Sequence, residues 1–429
     1  MALHQGLFAA AVALTARDNV GALRRAGEVA AMMAVAEFLP PWLFRWYLAS
    51  AFFRMPLLVQ LADVVGTIGV SAAAVAVAAL LARAWVTRQW RPVGLAAAVL
   101  AVWAGYGGVR LYQVDHAPQT GTWRAVVVQQ NATLAEKKAL DAPHRIPSLD
   151  RLAQMSLDAK RDGQLDGVDA VIWPEGAFPF FWVPDDVTPT GLKVATKANK
   201  VLMASKRRVL ELARQLPVPI LLGTLRRFDP MWRQEARNSA ILVDKDGVRW
   251  GYDKQILLAF GEYLPGTRLV PQLKEGIPGV SNFDEGTTSG LVQLGRAKVL
   301  VHICYEALFS EFMREQAQDA QVLVNLTNDV WFGPPPAPDL DLMVQHARAV
   351  ELRRPFVRST VNGISCVVDA GGRFIAEAGH KVQTNLQVAV PLADIGSPYR
   401  LWGDGPLWVL SVGAIGALVL FHRRRKLLS

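Results

Sequence analysis

Uncharged apolar runs bracket this chain at both ends, and they restrict its folding more than any other feature. Residues 406–421 (PLWVLSVGAIGALVLF) carry no charge, and His422, Arg423, Arg424, Arg425 and Lys426 follow at once. A bilayer-spanning helix needs about 20 residues. Leu401 and Trp402 extend the run toward that length, and Trp402 and Trp408 suit the interface. Near the other end, residues 93–106, continuing to 111, form a second candidate span, and residues 61–81 form a third, with Asp63 near its outer end. Residues 29–52 form a fourth, in which Pro40 and Pro41 are expected to kink or break the helix. The run 7–16 is too short to span; it reads as a partial helix, an interfacial segment or the remnant of a longer element. A cleaved signal peptide is disfavoured there, because no basic region precedes it.

The charges follow the same division. Of the formal net charge of +9, residues 1–112 contribute +5 and the last ten residues +4. The 307 residues between carry 33 Lys/Arg and 33 Asp/Glu, a net of zero. Surplus arginine beside apolar segments sets membrane orientation, whereas a nucleic-acid footprint would concentrate on the folded domain. Nucleic-acid binding is therefore excluded as a reading. The positive-inside rule puts Arg83, Arg88, Arg91 and the basic tail in the cytoplasm and the intervening domain outside. The expected organisation is N-terminal transmembrane helices over 1–112 (about three or four), a domain over 121–400 outside the membrane, a C-terminal transmembrane helix over 401–422 and a cytoplasmic tail over 423–429.

Within 121–400 short apolar, β-branched runs recur at 125–128, 170–173, 220–222, 240–243, 299–303, 322–324, 356–361, 366–368 and 386–390. Helical stretches at 149–160, 193–216 and 340–352 lie between them. This alternation predicts a mixed α/β domain of sheets covered by helices. No internal repeat or low-complexity tract is present, and Pro334, Pro335, Pro336 and Pro338 mark a rigid surface loop. The two cysteines, Cys304 and Cys366, form no disulfide framework and have no zinc spacing, so no metal is expected. Cys366, in an apolar strand, reads as core packing.

Three segments place a reactive group at the end of an apolar strand. They are VIWPEGA (171–177) with Glu175, YDKQILLAFGEYLP (252–265) with Lys254 and Glu262, and VHICYE (301–306) with Cys304 and Glu306. A thiol, a carboxylate and an ammonium suffice for amide or ester acyl transfer. The thiol is mostly protonated at neutral pH and needs a base. A partly buried carboxylate can serve, and an ammonium with a backbone N–H can stabilise the oxyanion. Singly, each segment has an ordinary reading: a strand-ending turn, a solvated lysine, a core cysteine. Their conjunction in this order is more specific.

In that order and at those separations, the segments resemble the Glu-Lys-Cys signature of the carbon–nitrogen hydrolase (nitrilase) superfamily. The flanking residues resemble its apolipoprotein N-acyltransferase family: KQILLAFGEYLP (254–265), ICYE (303–306), NDVWFG (328–333), RAVE (348–351), Arg354-Pro355, Arg358-Ser359, NGI (362–364) and Pro398-Tyr399 before the last apolar run. The likeness covers roughly 120–420 firmly, and 36 to about 81 loosely. It implies a four-layer αββα sandwich joined to a helical membrane bundle. It also implies that Cys304 is the nucleophile, Glu175 the general base and acid, and Lys254 the oxyanion stabiliser. Glu262 would hold Lys254 and the intermediate, and Tyr305 and Glu306 would support activity. Trp331 and Phe332 would lie near the pocket, with apolar packing under their loop as the plainer reading. Asn328 and Asp329 read as an Asx turn after a strand, and Arg358 and Asn362 as buried, satisfied polar residues.

By this resemblance the cysteine takes an acyl chain from a membrane phospholipid and passes it to the α-amine of a diacylglyceryl-cysteine at a lipoprotein N-terminus. The setting implied is the bacterial inner membrane, with the catalytic domain periplasmic and no cofactor. Some positions depart from the family pattern. The usual member begins with more membrane helices, and it carries Gln-His where this chain has Leu340-Asp341. A Gly-Phe-Pro-Trp-like stretch after Glu37 is missing, and Gly176 stands where Ser or Thr is commoner. None removes a catalytic group; they bear on which lipid enters. Two alternatives remain open. One is a membrane-tethered amidase or acyltransferase for another amine, as in conjugal-transfer-type relatives. The other is a non-enzymatic scaffold of the same fold.

Overall fold

The computed structural model describes residues 21–39, 43–138, 142–184, 197–228, 235–267, 270, 281–333, 336–410, 412–413 and 416. The run 7–16, Pro40, Pro41, Pro334, Pro335, most of the run 406–421 and the tail 423–429 lie outside them.

Apolar runs this continuous predict strands covered on both faces, and two sheets provide that cover. The first joins β1 (Gln119–Gln129), β2 (Ala170–Ile172), β3 (Phe181–Trp182), β4 (Ile220–Arg226), β5 (Arg237–Asp244), β6 (Gly247–Asp253) and the late strand Thr384–Ala393. The second joins β7 (Leu291–Leu294), β8 (Ala297–Ile303), β9 (Val322–Thr327), β10 (Phe356–Thr360), β11 (Cys366–Val368) and β12 (Phe374–Glu377). With Thr384–Ala393 as β13, the orders are β13-β1-β2-β4-β5-β6, with β3 beside β4, and β12-β11-β10-β9-β8-β7. Strands β1, β2 and β4 run parallel, as do β8, β9 and β10. All nine expected strands are present. The four that were not read, β3, β6, β7 and β12, are two-residue or partly exposed segments without an apolar run.

Successive side chains on one strand serve different layers. Ala125 and Val127 of β1 enter the core between the sheets with Val299, Val301, Val324 and Val357. Val126 and Val128 face the outer side, where helices Ala142–Arg161 and Lys197–Gln215 cover the first sheet. Helices Ser310–Gln316 and Ala337–Leu352 cover the second. The domain is therefore a helix–sheet–sheet–helix sandwich. Cys366 is fully buried among Leu323, Phe356 and Val368, as core packing requires.

Upstream, α1 (Ala22–Phe38), α2 (Ala62–Thr87) and α3 (Arg91–Asp115) precede the sandwich; its covering helices, in chain order, are then α4 to α7. Among the described residues, α2 and α3 are the two helices long and apolar enough to cross a membrane. The expected span 29–52 is not one helix: α1 starts earlier, has only 17 residues and stops at Phe38, and Leu48–Phe52 is a 3-10 turn. Helix α3 leaves Val102, Val109 and Tyr112 exposed, an apolar surface suited to lipid.

The one acidic residue in α2 that hydropathy leaves unexplained is used as a tie. Asp63 is buried and accepts bonds from Arg353 (Nη2 2.5 Å, Nε 2.9 Å), Arg110 (2.7 Å) and the Tyr106 hydroxyl (2.6 Å). One turn on, Glu351 accepts from the Thr67 N–H (2.9 Å) and hydroxyl (2.6 Å). These bonds need Gly66, whose φ of +65° breaks the helix geometry and whose added Cβ would lie 2.8 Å from the Tyr399 ring. Two acidic groups thus bind α2 to the C-terminal turns of α7.

Candidate active site

Each of the three strand ends delivers its side chain to one place. Strand β2 stops because Pro174 has no N–H to continue the ladder, and the turn at Glu175–Gly176 follows with Gly176 at φ +60°. This turn lies flat on β4. The Gly223 N–H bonds to the Pro174 carbonyl (3.2 Å), and the Phe178 N–H to the Gly223 carbonyl (3.1 Å). A Cβ on Gly223 would lie 2.5 Å from the Glu175 Cα. Gly223→Ala is therefore expected to push Glu175 off its position and cost on the order of 10²-fold in turnover. An unaltered rate would show that the turn tolerates displacement.

Strand β6 ends at Asp253, which accepts bonds from Arg226 (2.6 Å), the Ser239 hydroxyl (2.6 Å) and Arg237 (3.2 Å). The next residue, Lys254, is almost wholly buried and donates to Glu262 Oε2 at 2.7 Å. The same oxygen accepts the Leu258 N–H at 2.8 Å. Asn238 at the start of β5 joins the two carboxylates, its Nδ2 donating to Glu175 Oε1 (2.7 Å) and Glu262 Oε1 (2.6 Å). Its carbonyl also accepts the Lys254 N–H (2.8 Å). The sequence reading missed Asn238. The available signal was a polar pair, Asn238-Ser239, opening an otherwise apolar strand whose amide needs partners once buried.

Strand β8 ends at Ile303, and the next residue, Cys304, adopts φ +49°. A non-glycine residue rarely takes that conformation, and surrounding bonds must hold it there. Glu306 supplies them. It is fully buried and accepts from the Ile303 N–H (2.7 Å), the Gln255 N–H (2.7 Å) and the Tyr252 hydroxyl (2.7 Å). One carboxylate thereby fixes the cysteine turn to the lysine strand. Tyr305 donates its hydroxyl to the Leu43 carbonyl, drawing the segment after α1 over the site.

Cys304 is partly exposed, and the charges of Glu175 and Lys254 both act on its thiol. Burial pushes the Glu175 carboxyl above its usual range, with Glu262 adding to the shift and Lys254 opposing it. Burial also lifts the Cys304 thiol well above its ordinary value; the Glu175 charge adds to this and Lys254 opposes it. Burial would lower the Lys254 ammonium, but Glu262, Cys304 and Glu175 together hold it above its usual value. These shifts favour the neutral thiol and the charged ammonium, and the Glu175 carboxyl beside them is a proton acceptor once ionised. The thiol can attack a carbonyl only as its proton leaves for Glu175.

The cysteine also borders an apolar cluster containing Tyr305, Leu308, Tyr47, Ile68, Val344 and Leu407, so segments flanking the sandwich and the cysteine turn share one core. Phe44 makes edge contacts with Tyr305 (6.0 Å between centroids) and Phe332 (6.4 Å). Trp331 is exposed beneath Lys138, whose Nζ lies 5.9 Å from the ring. Phe332 thus joins the aromatic contacts around Tyr305 through Phe44, while Trp331 faces Lys138. Farther off, Asn328 forms the expected Asx turn with the Val330 N–H (3.3 Å), and buried Arg358 is satisfied by Asp329 (2.9 Å) and Asp341 (2.7 Å).

Residues 124–399 match the carbon-nitrogen hydrolase family model. An apolipoprotein N-acyltransferase from Rhizobium etli is 31% identical over 390 residues, which are 88% of this chain and 69% of the relative. The chain belongs to the apolipoprotein N-acyltransferase family. A second relative of that name, from Bradyrhizobium diazoefficiens, is 30% identical over 92% of this chain and 73% of its own length. Among solved structures, an amidase from Nesterenkonia sp. aligns at 20% identity and a TM-score of 0.45, over 64% of this chain and 93% of that one. The likeness to the N-acyltransferases extends beyond the sandwich, since 88–92% of this chain takes in part of the apolar segments that flank it.

Proposed function

We propose that this protein is a membrane N-acyltransferase that moves an acyl chain from phospholipid to the α-amine of diacylglyceryl-cysteine on apolipoproteins. The observation that supports the reading is that the Cys304 thiol feels the charges of both Glu175 and Lys254 while bordering the apolar cluster of α1, α2 and Tyr305. Cys304 attacks the phospholipid ester while Glu175 takes the thiol proton. Lys254 and the Tyr305 N–H hold the oxyanion. Collapse expels the lysophospholipid, protonated by Glu175. The acceptor amine then attacks the thioester, Glu175 receives its proton, and the thiol is regenerated. Glu262 holds Lys254, and Trp331 and Phe332 border the lipid entrance.

Residues 1–112 and 401–422 anchor the chain in the inner membrane, with the 121–400 domain periplasmic and the 423–429 tail cytoplasmic. The turn between α2 and α3 supports this orientation. With the adjoining helix ends it carries Arg83, Arg88 and Arg91, with Trp85 and Trp90 exposed, at the end of the hairpin remote from Asp63.

Two measurements test the reading. Reconstituted in phospholipid vesicles with a diacylglyceryl-cysteine peptide, the protein is expected to give N-acylated peptide and one lysophospholipid per turnover. Release of ammonia from small amides without lysophospholipid would identify an amidase, and neither product would identify a scaffold. The rate should also fall as pH drops through the raised Glu175 value, above the roughly 4.3 of an ordinary glutamate, because only the ionised carboxylate accepts the proton. An acid limb at the ordinary value would argue against Glu175 as the base.

A further inference from the structure

The turn that carries Glu175 is held by a second lysine. Lys137 lies in the five-residue helix Leu134–Lys138, between β1 and α4, and its Nζ donates to the Gly176 carbonyl at 2.8 Å. A Cβ on Gly176 would lie 3.9 Å from that nitrogen, so the ammonium sits over the backbone next to the carboxylate.

The lysine is aimed by fixed partners. Thr133 and Glu136 cap the short helix reciprocally, the Thr133 N–H donating to Glu136 (2.6 Å) and the Glu136 N–H to the Thr133 hydroxyl (3.3 Å). Arg151 of α4 donates to the other Glu136 oxygen at 2.6 Å. Burial pulls the Lys137 ammonium down to about 8; the Glu175 and Glu136 charges favour its cationic form, while Arg151 and Arg145 add to the lowering.

We propose that Lys137 is a positioning residue for the general base, fixing the Glu175–Gly176 turn through the Gly176 carbonyl and keeping the Glu175 carboxylate ionised through its charge. Glu175 then stands between two cations, with Lys254 beside the sulfur and Lys137 behind the turn. This inference rests on Glu175 acting as the base for Cys304.

The test is the pH dependence of Cys304 alkylation by iodoacetamide in the detergent-solubilised full chain, with Cys304→Ala as background. It needs no lipid, so the identity of the substrate does not affect it. Lys137→Met is expected to move the acid limb upward by about one pH unit, and Lys137→Arg to leave it in place. Lys137→Gln keeps a donor for Gly176 without the charge, and should shift the limb like Met even if the Met variant folds poorly. Limbs that superimpose for wild type, Met and Gln would overturn the proposal, whatever the change in absolute rate. Glu175→Gln separates the two layers of argument. If the limb survives in that variant, the reading of Glu175 as base fails; if it disappears there yet ignores Lys137, only the Lys137 inference fails.

Discussion

Cys304→Ala is expected to reduce acyl transfer below detection while leaving membrane insertion and folding intact. A nucleophile that works as one unit with its base carries most of the chemical step, and removal of such a group costs on the order of 10⁶-fold. The fold should tolerate the change. The side chain is partly exposed at the rim of its cluster, and the left-handed turn is held by the Glu306 carboxylate rather than by sulfur. Product formation by mass spectrometry, alongside the thermal midpoint, checks both halves. Persistent transfer would remove Cys304 from the mechanism.

Lys254→Met should act twice. Loss of one oxyanion donor costs on the order of 10²–10³-fold in rate. It also leaves Glu262 buried without its ion-pair partner, and breaking a buried pair typically costs about 3–5 kcal/mol. The variant is therefore expected to be both slow and less stable. Adding Glu262→Gln should recover stability, since a neutral amide can still accept the Leu258 N–H. It should not recover the rate. Recovery of activity in the double variant would mean that Lys254 serves the fold alone.

What the sequence made legible follows from where apolar residues are obligatory. Eight of the nine strands read from it lie inside sheets covered on both sides, where runs such as 125–128 and 322–324 have no polar position to interrupt them. The ninth, β13, is an edge strand that buries Val388, Val390 and Leu392 on one face. Strands β6, β7 and β12 have an exposed side and no such run. The segment 29–52 misled for a related reason. Hydropathy stays high past Phe38, yet Phe44 and Tyr47 pack with Tyr305 in one cluster, Tyr47 buried and Phe44 partly so, by protein contacts.

The site divides in the same way. Glu175, Lys254 and Cys304 were legible because each is a reactive group at the end of an apolar strand. Asn238, Gly223 and Lys137 were not, because their roles lie across the fold. An asparagine before a strand looks like a turn residue, a glycine within one looks permissive, and a lysine among polar residues looks solvated. Glu306 was legible as a member of the cysteine segment, but its work, joining that segment to the lysine strand through Ile303, Gln255 and Tyr252, depends on contacts between sheets.

The central claim is that phospholipid acylates Cys304. Intact-mass analysis of the full chain incubated with phospholipid vesicles, without an amine acceptor, addresses it most directly. The account predicts one added acyl chain, located on the peptide that contains Cys304, labile to neutral hydroxylamine and discharged when a diacylglyceryl-cysteine peptide is supplied. An unmodified Cys304 in protein that is turning over, or an adduct that persists in Cys304→Ala, would contradict it.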